Sequence, residues 1–234
     1  MKHRVISQAS RFDTSLRQSV RNTCHFDQTY DWSCGLSAAQ SALRFLGRDL
    51  PPSDKLIEIL RSYGLSDALE DEGLSTPHLA FLLRRLSFAS INIALRPDSL
   101  AELGGQLLRS PLRFTQRIKP RRQVNPFWSK GMNRALSLLL ADGVRIRIGY
   151  FGLKDMSTTK PIVVSVSCAE YYEINVPLYL ETHFLTLVPT IAGWLVCDGY
   201  ELKGYEEMEN WHHHLNSAAR YDWTRWRGDA IVFS

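Results

Sequence analysis

Gln28-Thr29-Tyr30-Asp31-Trp32-Ser33-Cys34-Gly35-Leu36-Ser37-Ala38-Ala39-Gln40-Ser41-Ala42-Leu43-Arg44-Phe45-Leu46-Gly47 is the stretch whose reading decides the fold. It reads as a turn that delivers a cysteine to the start of a helix. Ser33 suits the N-cap position. From Leu36 onward, Leu36, Ala39, Leu43 and Leu46 recur on one face of an α-helix. Gly47 stops it. Cys34 therefore falls in the first turn, where unpaired backbone N–H groups and the positive end of the helix dipole favour an anion. A thiolate is such an anion, and it is the nucleophilic form of cysteine. Gln28, six residues upstream, carries a side-chain amide suited to a developing oxyanion.

Two residues far downstream complete a constellation. Leu180-Glu181-Thr182-His183-Phe184-Leu185-Thr186-Leu187-Val188 reads as a strand, and Gly193-Trp194-Leu195-Val196-Cys197-Asp198 as the next. If the two form a hairpin turning near 189–193, His183 and Asp198 meet at one end of it. An imidazole beside a helix-start thiol takes its proton, and a carboxylate behind the imidazole fixes its tautomer. Taken singly, each residue has a plainer reading. A cysteine in an amphipathic helix is usually a small buried hydrophobe, His183 a histidine at a sheet edge, and Asp198, before Gly199, a turn residue. The functional reading rests on their joint order.

That order carries a resemblance. Gln28, five intervening residues, then Cys34-Gly35 opening a helix resembles the papain-like cysteine peptidases, most of all the branch of bacteriocin leader peptidases and bacterial effector cysteine proteases. The apolar strand after His183, and the strand from Pro161, resemble the same pattern. The likeness covers about residues 26–48 and 160–199. It implies Cys34 as nucleophile, His183 as base and then acid, Asp198 as orienter and Gln28 in the oxyanion hole. Trp32 and Ser33 would shape the groove for an extended peptide. The wording from Tyr30 to Leu36 is also similar to a family named for guanylyl cyclase activity, whose pattern is that of the papain-like fold. The chain has no Gly-rich phosphate loop, which counts against a literal cyclase. Glutamine deamidation or acyl transfer remains open with the same triad, as does a non-catalytic peptide-binding module.

Around this frame the chain reads as α+β. Ser53 is expected to cap a helix through Leu56, Ile57, Ile59 and Leu60, ended by Tyr63-Gly64. Thr76 is expected to cap another, with Pro77 at its first position, His78 at the surface, and Leu79, Leu82, Leu83 and Leu86 along it. Residues 89–95 alternate as a strand, and Leu100 to Leu108 read as a helix. Phe127 to Ala141 read as a helix with Met132, Ala135, Leu136 and Leu139 toward the core. Val144 to Ile148, Pro161 to Ser167 and Asp229 to Phe233 read as strands. The expected plan is one papain-like domain, 26–234. A helical lobe, about 26–142, carries the cysteine helix. An antiparallel sheet lobe, about 143–234, carries His183 and Asp198. Residues 1–25 are polar and read as a flexible N-terminus, with no apolar run of a signal peptide.

Composition bounds the rest. A hydrophobic fraction of 44% and a charged fraction of 22% over 234 residues are those of an ordinary globular chain with ample core. A net charge of +4 does not by itself argue for nucleic acid, and none is expected as a partner. Cys24, Cys34, Cys168 and Cys197 make no disulfide framework. Free thiols imply a reducing, cytoplasmic setting, or a protein secreted as an effector into one. No run approaches the roughly 18 apolar residues of a membrane span. Arg109, Arg113, Arg117, Lys119, Arg121 and Arg122 form a basic segment without acids. It suits either an acidic protein or anionic membrane surface, or a solvated insertion, the second being favoured. Asp67, Glu70, Asp71 and Glu72 read as a solvated loop. His212-His213-His214 has no metal-ligand spacing, and Glu206, Glu207 and Glu209 beside it read as a solvated face. Trp211, Trp223 and Trp226 with Arg220, Arg225 and Arg227 suit ligand contact or packing, with packing favoured. Neither cofactor nor metal is expected.

Overall fold

The computed structural model describes residues 14–24, 26, 33–48, 51–66, 69, 73–87, 90–95, 126–148, 159–167, 182–190, 193–199, 202–203 and 229–234. Five described helices are α1 (Thr14–Cys24), α2 (Cys34–Phe45), α3 (Ser53–Ser62), α4 (Thr76–Ser87) and α5 (Pro126–Ala141). The strands are β1 (Ile91–Leu95), β2 (Arg145–Ile148), β3 (Ile162–Ser167), β4 (Thr182–Thr190), β5 (Gly193–Cys197), β6 (Leu202–Lys203) and β7 (Ala230–Phe233). The architecture is α+β: helices against one seven-stranded sheet of order β2-β1-β7-β3-β4-β5-β6.

The apolar periodicities place the helices. In α2, Leu36, Ala39 and Leu43 are buried as their spacing requires, and Gly47 ends the helix at φ 67°, a conformation glycine adopts without a Cβ penalty. In α4, Leu79, Leu82 and Leu83 are fully buried. In α5, Met132, Ala135 and Leu139 are buried and Leu136 packs partly buried against them. One core cluster joins these helices to the sheet through Ile93 of β1, Val163 of β3, Phe184 of β4, and Ile231 and Phe233 of β7.

Several expectations need correction. The sheet is mixed rather than antiparallel, because β1 and β2 pair in parallel, Asn92 opposite Arg145. A parallel pair needs a crossover connection, and α5 lies within it. β1 forms where a strand was expected, but it pairs with β7 near the C-terminus instead of staying within the helical lobe, and the core cluster draws on both halves of the chain. The flexible N-terminus expected over 1–25 contains α1, whose Val20 and Cys24 are buried against Val188, Leu195 and Cys197. The sequence signal was there only as widely spaced apolar residues in a polar helix. Pro52, not Ser53, is the N-cap of α3. Thr76 is the first residue of α4 rather than its cap, and Ser75 caps it, because the Ser75 Oγ accepts the His78 N–H at 3.5 Å. His78 is not at the surface. It is fully buried.

The expected helix at 100–108, the basic segment 109–122, the acidic residues 67 and 70–72, and the His, Glu, Trp and Arg residues within 206–227 lie outside the described residues. Among the described residues no helix is long and apolar enough to cross a membrane.

Candidate active site

β4 and β5 form the hairpin the sequence implied. Their register runs from Thr190 opposite Gly193 to Thr186 opposite Cys197. One further step places Leu185 opposite Asp198, so His183 is the diagonal neighbour of Asp198 on the same side of the hairpin. The His183 Nε2 and the Asp198 Oδ1 lie 3.0 Å apart. Both side chains are buried, at 5% and 0% exposure, so water does not screen the pair. An ionised carboxylate only accepts, so the Nε2–H donates to it and Nδ1 is left as the ring's other hydrogen-bonding atom.

Cys34 is the first residue of α2, with Ser33 at the N-cap position. The helix has no acidic residue in its first turn. Its dipole and amide groups therefore act on the Cys34 sulfur without a competing carboxylate. The thiol is half-buried, unlike Cys24 and Cys197, which are buried. α2 runs alongside β4 in step. A Cβ on Gly35 would touch the Phe184 ring at 3.5 Å. One helical turn further, the Thr186 Oγ1 donates to the Ala38 carbonyl at 2.7 Å. This alignment brings Cys34 to His183, and the two side chains are hydrogen-bonded.

The imidazole responds to three influences. Burial is the largest and pushes it down. The hydrogen bonds to Asp198 and to Cys34, with the charges of both, act the other way and carry it up to about 9. The arrangement thus holds an imidazolium between a carboxylate and a thiol. That is the charge state an ion-paired thiolate nucleophile needs.

Cys34, His183 and Asp198 are brought together as their sequence order implied. Gln28 and Trp32 lie outside the described residues. Phe26, two residues before Gln28, is held to the first turn of α2 by the Ser37 Oγ, which donates to its carbonyl at 2.5 Å. Ser33 corrects two expectations. It supplies no capping hydrogen bond, its backbone being at φ −94°, ψ 15° rather than extended, and at 1% exposure it has no surface for a substrate to touch. Cys197 alternates away from Asp198 into the apolar cluster under α1, where burial, then Cys24 and Asp198, push its thiol up and keep it inert.

A second buried polar group lies at the start of α4, beside α2. Ser75 and His78 cap each other: the Ser75 Oγ lies 2.8 Å from the His78 Nδ1, and the Ser75 N–H donates to the same nitrogen at 3.3 Å. This is a reciprocal capping box with His in the position usually held by Glu or Gln. The Thr76 Oγ1 donates to the Asp229 Oδ2 at 2.8 Å, and the Asp229 N–H donates to the Ser165 Oγ at 3.1 Å. Together these bonds hold Leu74 against Gly35, where an added Cβ would meet the Leu74 Cδ1 at 3.0 Å. Sequence reasoning missed this group, since only the Glu or Gln form of the box has a recognisable spacing. Among the described residues no three His, Cys, Asp or Glu side chains gather as a metal site would require.

No protein-family model, no curated protein and no solved structure matches this chain.

Proposed function

We propose that the chain is a thiol-dependent hydrolase of papain-like design, a cysteine peptidase. The observation that carries the reading is the buried His183 ring, bonded on one side to Asp198 and on the other to the half-buried thiol at the start of α2. The Cys34 sulfur would attack a peptide carbonyl carbon. His183 would deliver its proton to the leaving amine as the C–N bond breaks and a thioester forms. Water, deprotonated by His183, would then release the acid and restore the thiol. Asp198 would hold the Nε2–H tautomer and support the imidazolium. The backbone N–H of Cys34 and the Gln28 amide are the proposed oxyanion donors.

The test is incubation with an unfolded proteome digest, reading new peptide termini by mass spectrometry. New termini that vanish in both Cys34→Ala and His183→Ala are the expected result. Ammonia release from glutamine side chains, with the backbone intact, would reassign the same triad to deamidation. A Cys34 that alkylates no faster with His183 than without it would overturn the hydrolase reading altogether.

A further inference from the structure

Thr186 stands in an apolar run, Phe184-Leu185-Thr186-Leu187-Val188, all of it buried. Its neighbours across the sheet are Val163 on β3 and Cys197 on β5, members of the two apolar clusters. Packing alone would favour valine here, which has the same shape and no hydroxyl to desolvate. The hydroxyl is instead committed to one bond, donated to the Ala38 carbonyl of α2 across 148 residues of sequence. That carbonyl lies in the interior of a helix, where the residue four positions on supplies its regular partner. The bond to Thr186 is therefore additional to the fold's own backbone pairing.

Its two ends lie on the elements that carry the reacting pair. Ala38 is four residues after Cys34, one turn along the same helix. Thr186 is three residues after His183 on the same strand. Apolar contacts between a helix and a sheet resist separation but permit sliding, whereas a directional hydrogen bond fixes the offset along the strand. Sulfur-to-imidazole proton transfer is sensitive to that offset, since a displacement of about 1 Å costs up to roughly 100-fold in rate.

We propose that Thr186 is a positioning residue, whose bond to the Ala38 carbonyl sets the height of the Cys34 helix against the His183 strand. It acts through the dyad and does not touch substrate. The proposal rests on the hydrolase reading, and its test separates the two. The quantity to measure is the iodoacetamide alkylation rate of Cys34 at neutral pH, divided by the same rate in the corresponding His183→Ala chain. This ratio reports the histidine's contribution alone and is insensitive to general loosening.

Thr186→Val should cut the ratio by about tenfold or more, while the chain stays folded by circular dichroism. Thr186→Ser, which keeps the hydroxyl, should restore most of it. Should Thr186→Val fail to fold, Thr186→Ser against Thr186→Ala decides the same question, since both lack the methyl and only serine keeps the donor. A ratio equal to wild type in Thr186→Val, or in Thr186→Ala where that pair is used, would overturn the positioning role and leave the hydrolase reading standing. A ratio of one in the wild-type chain would overturn both.

Discussion

Burial acts on the His78 and His183 imidazoles alike, and only His183 has charges set against it. For His78 burial prevails and lowers the group from 6.5 to about 4. For His183 the Asp198 carboxylate and the Cys34 thiol prevail over burial and raise it from 6.5 to about 9. The linkage signs are opposite. His183 binds its proton more tightly folded than unfolded, so its contribution is fully present below pH 6.5 and is lost as pH rises through about 9. His78 binds its proton more weakly folded, so its contribution is present above pH 6.5 and is lost as pH falls toward about 4. Each limb is worth a few kcal/mol at most. Denaturant melts across pH should show stability highest near pH 6.5 and falling on both sides. His78→Gln, which keeps a capping-box partner at the same position, should flatten the acid limb only. Asp198→Asn should flatten the alkaline limb only. Identical limbs in all three chains would exclude these two rings as the source. The same Asp198→Asn change leaves a neutral neighbour behind the ring, and should lower turnover of any cleaved peptide by roughly 10²- to 10⁴-fold, as loss of the orienting carboxylate does in other triads.

At the scale of single elements, α4 and α5 approach each other closely at one point. Gly131 faces the His78 ring, and an added Cβ would stand 2.9 Å from the Nε2. A flexible side-chain end would move aside. This ring is held by Ser75 through both its hydroxyl and its N–H, so it does not yield freely. Gly131→Ala should therefore destabilise the chain by about 1–3 kcal/mol, despite alanine's higher helix propensity. Equilibrium urea unfolding measures it, and a gain in stability would show that the ring moves at little cost. The elements differ in how far they could be read in advance. α2, α4, α5 and the β4–β5 hairpin were legible because their apolar periods run to a buried face, and with the hairpin came the pairing of His183 and Asp198. α1 was not, because among its described side chains only Val20 and Cys24 are buried hydrophobics, too few to mark a period. The parallel β1–β2 pair was hidden for another reason: strand periodicity states which residues face inward, and says nothing of direction or neighbour. Thr186 and the Ser75–His78 cap depend on which elements touch, which no local pattern encodes.

Across the whole molecule, the elements of the candidate site are backed by two apolar clusters, which share the face of the β4–β5 hairpin that Phe184, Val188, Leu195 and Cys197 present. The large cluster fixes α2, α4 and the middle of the sheet. The small one, Val20 and Cys24 of α1 with Val188, Leu195 and Cys197, backs the β4–β5 hairpin one residue from Asp198. α1 is thus the outer cover of the hairpin that leads into Asp198. Val20→Asp places a charge in that cluster, where burial without a partner costs about 3 kcal/mol or more. The chain can relieve the cost locally, by lifting α1, without opening the large cluster. The expected signature is selective. Cys197, held inert by burial, should become alkylated about 100-fold faster, the factor that roughly 3 kcal/mol corresponds to. Circular dichroism should report a chain that is still largely folded. Pulse alkylation with iodoacetamide, read peptide by peptide, measures both Cys197 and Cys34 in one experiment. Exposure of Cys197 together with a loss of the His183-dependent rate of Cys34 would make α1 part of the working site. Exposure of Cys197 with Cys34 unchanged would make it a cover only. Protection of Cys197 at the wild-type level would contradict the packing of α1 on the hairpin, since a buried aspartate at position 20 cannot leave that cluster closed.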